Sequence, residues 1–177
     1  MNSEELRDIQ SPLKDRYLED PKAGQITLTA RGRLSGDDVV CRVETGRTVV
    51  EAGLHVATGG SGLHACSANM LLDALVACAG VTMKAIATAQ NIELRCAEVR
   101  AEGDIDFRGT LGVSREVPVG FSRIRLKFVL DSDASAEQID RLITLTERYC
   151  VVSHTLTTGA QVAVALEGPT GTLPGRR

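Results

Sequence analysis

Cys78 and Cys150 are the residues of this sequence best placed to do chemistry. Cys78 sits in the middle of residues 67–90, SANMLLDALVACAGVTMKAIATAQ. A thiol in apolar surroundings has a raised pKa and packs as an inert small hydrophobe, unless a cation or hydrogen-bond donor is brought up to it. Cys150 opens the run Cys-Val-Val-Ser-His, in which Ser153 and His154 are the kinds of donor that stabilise a thiolate. The Cys-x₃-His spacing also suits a metal, but a zinc site needs three or four ligands. Cys66, Cys78, Cys150, His64 and His154 are the residues that would have to meet to make one. Cys41 and Cys96 lie in or beside strand-like segments and read as packing residues.

The elements that position these side chains follow from local signals. Ser67 is read as the cap of a helix over 67–90, and Asn91 as its stop, because Asn tolerates the left-handed conformation. Asp73 and Lys84 are the charges within that helix, and at 100° per residue they fall within about 20° of each other. Asn69 sits one turn before Asp73 on the same edge. One narrow polar stripe on an apolar cylinder predicts a helix wrapped by protein, with Cys78 roughly 120–180° from the stripe and pointing inward. The uncharged run is about half of the ~20 residues a membrane span needs. Residues 54–66 precede the helix. Gly59, Gly60 and Gly62 make them a flexible loop that delivers His55, His64 and Cys66 to the helix start. The loop lacks the G-x-x-x-x-G-K pattern of a phosphate-binding turn.

Upstream, residues 1–23 are polar, with Pro12 and Pro21 as breakers, and read as an arm with one short helix near 13–18. Residues 25–30 alternate as a half-buried strand, 35–38 make a turn, and 39–43 with 48–51 flank a hairpin turn at Glu44-Thr45-Gly46. Downstream, Val99, Ala101 and Ile105 alternate with Glu98, Arg100, Glu102 and Asp104. In the strand 122–130, Ile124, Leu126, Phe128 and Leu130 point inward, leaving Arg123, Arg125 and Lys127 on a solvated face. Ser135-Ala-Glu-Gln138 is a capping box opening a second helix that runs to about Tyr149. Residues 161–166 are a last strand and 168–177 a flexible tail. The order predicts an α+β fold with a largely antiparallel sheet around a buried central helix, in one domain over 24–167.

Composition narrows the function. Of 177 residues, 43% are hydrophobic and 24% charged, ordinary values for a globular chain. No Trp, 3% aromatics and a net charge of −3 leave few platforms for bases, so nucleic acid is not an expected partner. The polar, acidic N-terminus does not read as a secretory signal. Five cysteines, an odd number with no CxxC, do not make a disulfide scaffold or zinc ribbon. A cytoplasmic protein with reduced thiols and no membrane association is expected.

Two segments resemble one family. MLLDALVACAGVTMKAIATAQNIEL resembles the central-helix motif of the osmotically inducible protein C and organic hydroperoxide resistance (OsmC/Ohr) family, and ERYCVVSHTL resembles its second cysteine motif. Asp-Phe-Arg-Gly109 and the run from Val117 to Leu126 also look like stretches of its members, so the resemblance spans roughly residues 25–167. It implies an intertwined α+β homodimer, with a curved antiparallel sheet on central helices and sites at the interface. It implies reduction of organic or hydrogen peroxides in oxidative-stress defence, with no cofactor and an external dithiol protein as reductant. Cys78 would be the attacking thiolate on a small hydrophobic peroxide, and Cys150 the resolving thiol.

In peroxidase members an Arg hydrogen-bonds the thiolate and a Glu near the helix start orients it. Here Ala68 holds the Glu position, and no Arg lies between Thr48 and Cys66. His55 and His64 stand in that loop instead, with Ser153 as a further thiolate-supporting candidate. Arg31, Arg33 and Arg47 are the alternative donors on other strands. These departures leave a second expectation open, an OsmC-fold protein that binds a small molecule with little or no turnover.

Overall fold

The computed structural model describes residues 1–34, 38–46, 48–166 and 173–176. Its first element is longer than the arm expected from sequence. α1 (Ser3–Glu19) starts at a capping box: the Asn2 side chain accepts the Glu5 N–H, and the Glu5 carboxylate accepts the Asn2 N–H. The helix runs through Pro12, which removes one backbone donor without stopping it. It buries none of its own residues and packs on the central helix. After a 3-10 turn at Pro21–Gly24, residues 25–30 are not a strand. Among the described residues nothing pairs with them, so Ile26 and Leu28 stay bare, at 71% and 89% exposed.

β1 (Arg31–Leu34), β2 (Val40–Thr45) and β3 (Thr48–Gly53) form an antiparallel meander, and β4 (Ala65–Cys66) joins β3 in parallel. The expected hairpin is in register: Thr45 faces Thr48, their hydroxyls 2.8 Å apart, and Gly46 turns at φ 57°. Residues 35–37 of the expected preceding turn, and Arg47, lie outside the described residues. No residue of these four strands is buried.

α2 (Ser67–Ala89) occupies the predicted stretch, with one correction at its start. Its N-cap is Cys66, which makes no side-chain cap bond, and Ser67 lies inside the helix. Its end is as expected. Asn91 takes φ 54°, Ile92 N–H reaches Ala87 O at 2.8 Å, and Asn91 N–H reaches Thr88 O at 3.2 Å, a Schellman cap. Leu75, Ala79, Met83 and Ala87 recur every turn as a buried stripe. The rest of the cylinder is not wrapped within one chain: Leu71, Ala74, Ala77 and Val81 are exposed beside Asp73 and Lys84.

β5 (Cys96–Ile105) and β6 (Phe121–Asp131) pair antiparallel, connected through α3 (Phe107–Thr110) and a loop. Their inward and outward faces are those predicted. Two of the three outward cations do more than meet solvent: Arg125 pairs with Glu102 and Asp104, and Lys127 with Glu102 at 2.7 Å. Cys96, expected to pack, is exposed.

α4 (Ala136–Tyr149) begins at the predicted capping box of Ser135 and Gln138. A second helix, α5 (Val151–Thr158), follows after the single residue Cys150. The sequence gives no sign of it, because Val, Ser, His and Thr are all weak helix formers. β7 (Val164–Leu166) pairs with β8 (Leu173–Arg176), which lies in the stretch read as a tail.

The core is where α2, β5, β6, α4 and α5 meet. Met83, Ala87, Ile92 and Leu142 form one cluster, and Leu75, Ala79 and Cys150 the other, with Val99 and Phe128 packed against both. By length and composition α2 could cross a membrane; its buried stripe is spent on this core instead.

Candidate thiol site

Cys78 and Cys150 meet in the second core cluster. Cys78 lies on α2 between Leu75 and Ala79, and Cys150 is the joint between α4 and α5. Cys150 is fully buried, and Cys78 and Val152 pack partly buried around it. As N-cap of α5, Cys150 accepts the Ser153 N–H on its sulfur at 3.5 Å. This is the one N–H···S bond of regular geometry among the described residues.

The first turn of α5 also faces Cys78. A helix N-terminus presents free N–H groups and a partial positive charge. Burial pushes the Cys78 thiol up, but the Val152 N–H, the Cys150 thiol, the Val151 N–H and the Thr82 hydroxyl outweigh it and hold the thiol below its ordinary value. Cys150 moves the other way. Burial raises its thiol, the Ser153 and Val152 N–H groups offset that in part, and neighbouring Cys78 raises it further. Of the two thiols, Cys78 is the one whose surroundings favour the thiolate, and Cys150 the one whose burial opposes it.

The other sequence candidates lie elsewhere. His55 caps the 3-10 turn Val56–Thr58: its Nδ1 accepts the Ala57 N–H at 3.0 Å, and its ring stacks on Phe107 with centroids 4.8 Å apart. His64 Nδ1 lies 3.6 Å from Glu51 Oε2, against Gly53 of β3, where a Cβ would come within 2.9 Å of the imidazole's own Cβ. Ser153 contributes, but through its backbone N–H and to Cys150. Arg31 and Arg33 are exposed on β1, Arg33 3.9 Å from Glu44. Among the described residues no group of three or more His, Cys, Asp or Glu is arranged to hold a metal.

Sequence reasoning missed two supports of the thiol. Thr82 lies one turn after Cys78 on the same helix, a spacing that brings side chains together and was there to be read. The Val151 and Val152 N–H groups depend on α5, which carried no local signal.

The sequence model of the OsmC-like protein family matches residues 60–165, a span that holds α2, β5, β6, α4, α5 and both cysteines. The chain belongs to the OsmC-like family. No curated protein matches its sequence. Among solved structures it is similar to an OsmC-like protein of Mycoplasma pneumoniae, with TM-score 0.64, 16% identity, and coverage of 76% of this chain and 90% of that one. An organic hydroperoxide resistance protein OsmC of Legionella pneumophila superposes with TM-score 0.59 at 15% identity, over 76% and 93% of the chains. An OsmC-like protein of unknown function from Vibrio cholerae gives 0.60 at 11%, over 74% and 94%. At these identities the likeness is one of fold.

Within this OsmC-like chain, Ala68 lies in the first turn of α2. There it lines a mostly apolar cavity of about 380 Å³ with Leu54, His55, Leu71, Phe107 and Phe121. Neither Cys78 nor Cys150 borders that cavity.

Proposed function

We propose that this OsmC-like protein is a thiol-dependent peroxidase that reduces organic or hydrogen peroxides through Cys78 and Cys150. The observation that carries the reading is the meeting of two thiols in one core cluster, Cys78 packed against fully buried Cys150 where α5 begins. The Cys78 thiolate attacks the distal peroxide oxygen and becomes a sulfenic acid, while the alkoxide leaves and takes up a proton as the alcohol. Cys150 gives up its proton to the sulfenic oxygen and its thiolate attacks the Cys78 sulfur. A disulfide forms, and the sulfenic oxygen leaves as water. An external dithiol returns two electrons and two protons. No cofactor enters. In this chain the α5 N–H groups and Thr82 take the part that an Arg plays in the family's peroxidases.

The same reading makes the working unit a cytoplasmic homodimer. The unburied β1–β4 sheet and the bare face of α2 are the surfaces a second copy would cover.

The test is to add one equivalent of tert-butyl hydroperoxide to fully reduced protein and map the peptides. The expected product is a Cys78–Cys150 disulfide formed at the rate of peroxide loss, and Cys78→Ser abolishes that loss. Peroxide consumption by Cys78→Ser at the wild-type rate overturns the proposal.

A second reading is favoured by Ala68 and the apolar cavity: a small-molecule-binding protein with little turnover. Native mass spectrometry showing a co-purifying ligand, together with thiols that stay reduced under peroxide, would select it.

A further inference from the structure

The chain is poor in aromatic residues, with three Phe, two Tyr and no Trp. Two of the three Phe line one cavity, the one of about 380 Å³ at the start of α2. Phe107 opens α3 and Phe121 opens β6. The His55 ring completes this aromatic lining, stacked on Phe107 with the ring planes 18° apart. Leu71 and Ile105 add aliphatic wall.

The backbone holds these rings in place. Phe121 lies across Gly103 of β5, where a Cβ would collide with its ring. Gly109 of α3 lies against the Pro118 carbonyl, where a Cβ would come within 2.6 Å of the oxygen. The turn carrying Phe107 is thereby drawn against the stretch that leads into Phe121. His55 is fixed by its own turn, its Nδ1 accepting the Ala57 N–H at 3.0 Å. In the neutral ring that bond puts the proton on Nε2, which is left as a donor.

The polar part of the lining carries no fixed charge. It consists of the His55 ring, the hydroxyls of Ser67 and Thr110 and the Cys66 thiol, and no Asp, Glu, Lys or Arg is among the lining residues. An ionised ligand would find no partner for its charge, a cost that a neutral one does not meet. The volume falls within the ~300–1,000 Å³ of small-molecule sites.

We propose that this cavity binds an uncharged aromatic carbonyl compound, its ring packed against His55, Phe107 and Phe121 and its oxygen accepting the His55 Nε2–H. The inference rests on the small-molecule reading of the cavity above and is independent of the thiol chemistry, because neither Cys78 nor Cys150 borders the site.

The probe is prodan, an uncharged naphthyl ketone whose emission moves to the blue when it leaves water, and the chain has no Trp to interfere. Titrated with the full chain, prodan is expected to show that shift and to be displaced by acetonaphthone. Naphthoate, the same ring system with a charge, and decanone, a ketone without a ring, should displace it about tenfold less well. Ala68→Phe fills the cavity from the first turn of α2 and should abolish the shift. His55→Asn keeps an acceptor for the Ala57 N–H in an Asx turn but removes the ring, and should weaken binding about tenfold. Circular dichroism confirms the fold of each variant. Unshifted emission with the wild-type chain, or wild-type affinity in either folded variant, overturns the proposal. Displacement by naphthoate or decanone as effective as by acetonaphthone overturns the ligand class and leaves a cavity that binds small molecules. Unshifted prodan, with naphthoate and decanone also failing to raise the midpoint of thermal unfolding, removes the small-molecule reading as well.

Discussion

The two halves of this molecule bury their side chains differently. From α2 onward the chain closes a core of its own, with Leu75, Ala79, Met83, Ala87, Leu142 and Cys150 almost wholly out of solvent. The β1–β4 sheet is as regular in its pairing, yet none of its residues is buried. Backbone hydrogen bonds alone thus make a sheet, but only packing of its face makes a stable one. The thiol pair lies in the half that is complete, and the half that is not carries the loop with His55 and His64.

The largest effect should come from breaking the complete half. Leu142→Ala removes a fully buried side chain from beside Met83 and Ala87, and is expected to cost about 2–5 kcal/mol in denaturant unfolding. Leu34→Ala in β1, where the side chain is 83% exposed, should stay within about 0.5 kcal/mol for the isolated chain. Similar losses from the two would mean that the halves are equally packed.

Next comes the uncovered face. Val81 is 73% exposed on α2. Val81→Asp should leave the circular dichroism spectrum intact and, if the proposed homodimer covers this face, lower the sedimenting mass to that of a monomer in analytical ultracentrifugation. A variant that sediments like the wild type would mean the face is covered by something else or by nothing.

The Schellman cap gives a smaller, local effect. Asn91→Ala forces a Cβ-bearing residue with no compensating side chain into φ 54°, and is expected to cost about 1 kcal/mol. Asn91→Gly should be neutral.

The finest test concerns the thiolate. Val151→Pro removes an N–H at the first helical position, where proline fits. Less stabilisation of the thiolate raises the Cys78 pKa. The rate of Cys78 alkylation by iodoacetamide, which rises with pH as the thiolate forms, should then reach half-maximum at higher pH than in wild type. Thr82→Val should shift it the same way. Coincident profiles would detach the α5 N-terminus from the thiol.

What the sequence disclosed was what neighbours in the chain decide. The Ser135–Gln138 box, Asn91, the Thr45–Thr48 turn and the alternation of 98–105 are all short-range, and each appears where it was read. The failures have long-range causes. α1 runs through Pro12 while packed on α2, and α5 forms from poor helix formers because Cys150 caps it and Val152 reaches the core. Both cysteines were legible as candidates, but their meeting depends on how α4 lies on α2. The histidines looked like thiol partners by proximity in sequence, and the fold gives one to a turn and the other to Glu51.

β4 ends at Cys66, and Cys66 is itself the N-cap of α2. No linker separates strand from helix, so the four-stranded sheet is fixed to the helix like a blade to its shaft. That shaft carries Cys78 and the core stripe of Leu75, Ala79, Met83 and Ala87. Whatever grips the exposed sheet therefore holds the strand that runs without a break into the thiol-bearing helix.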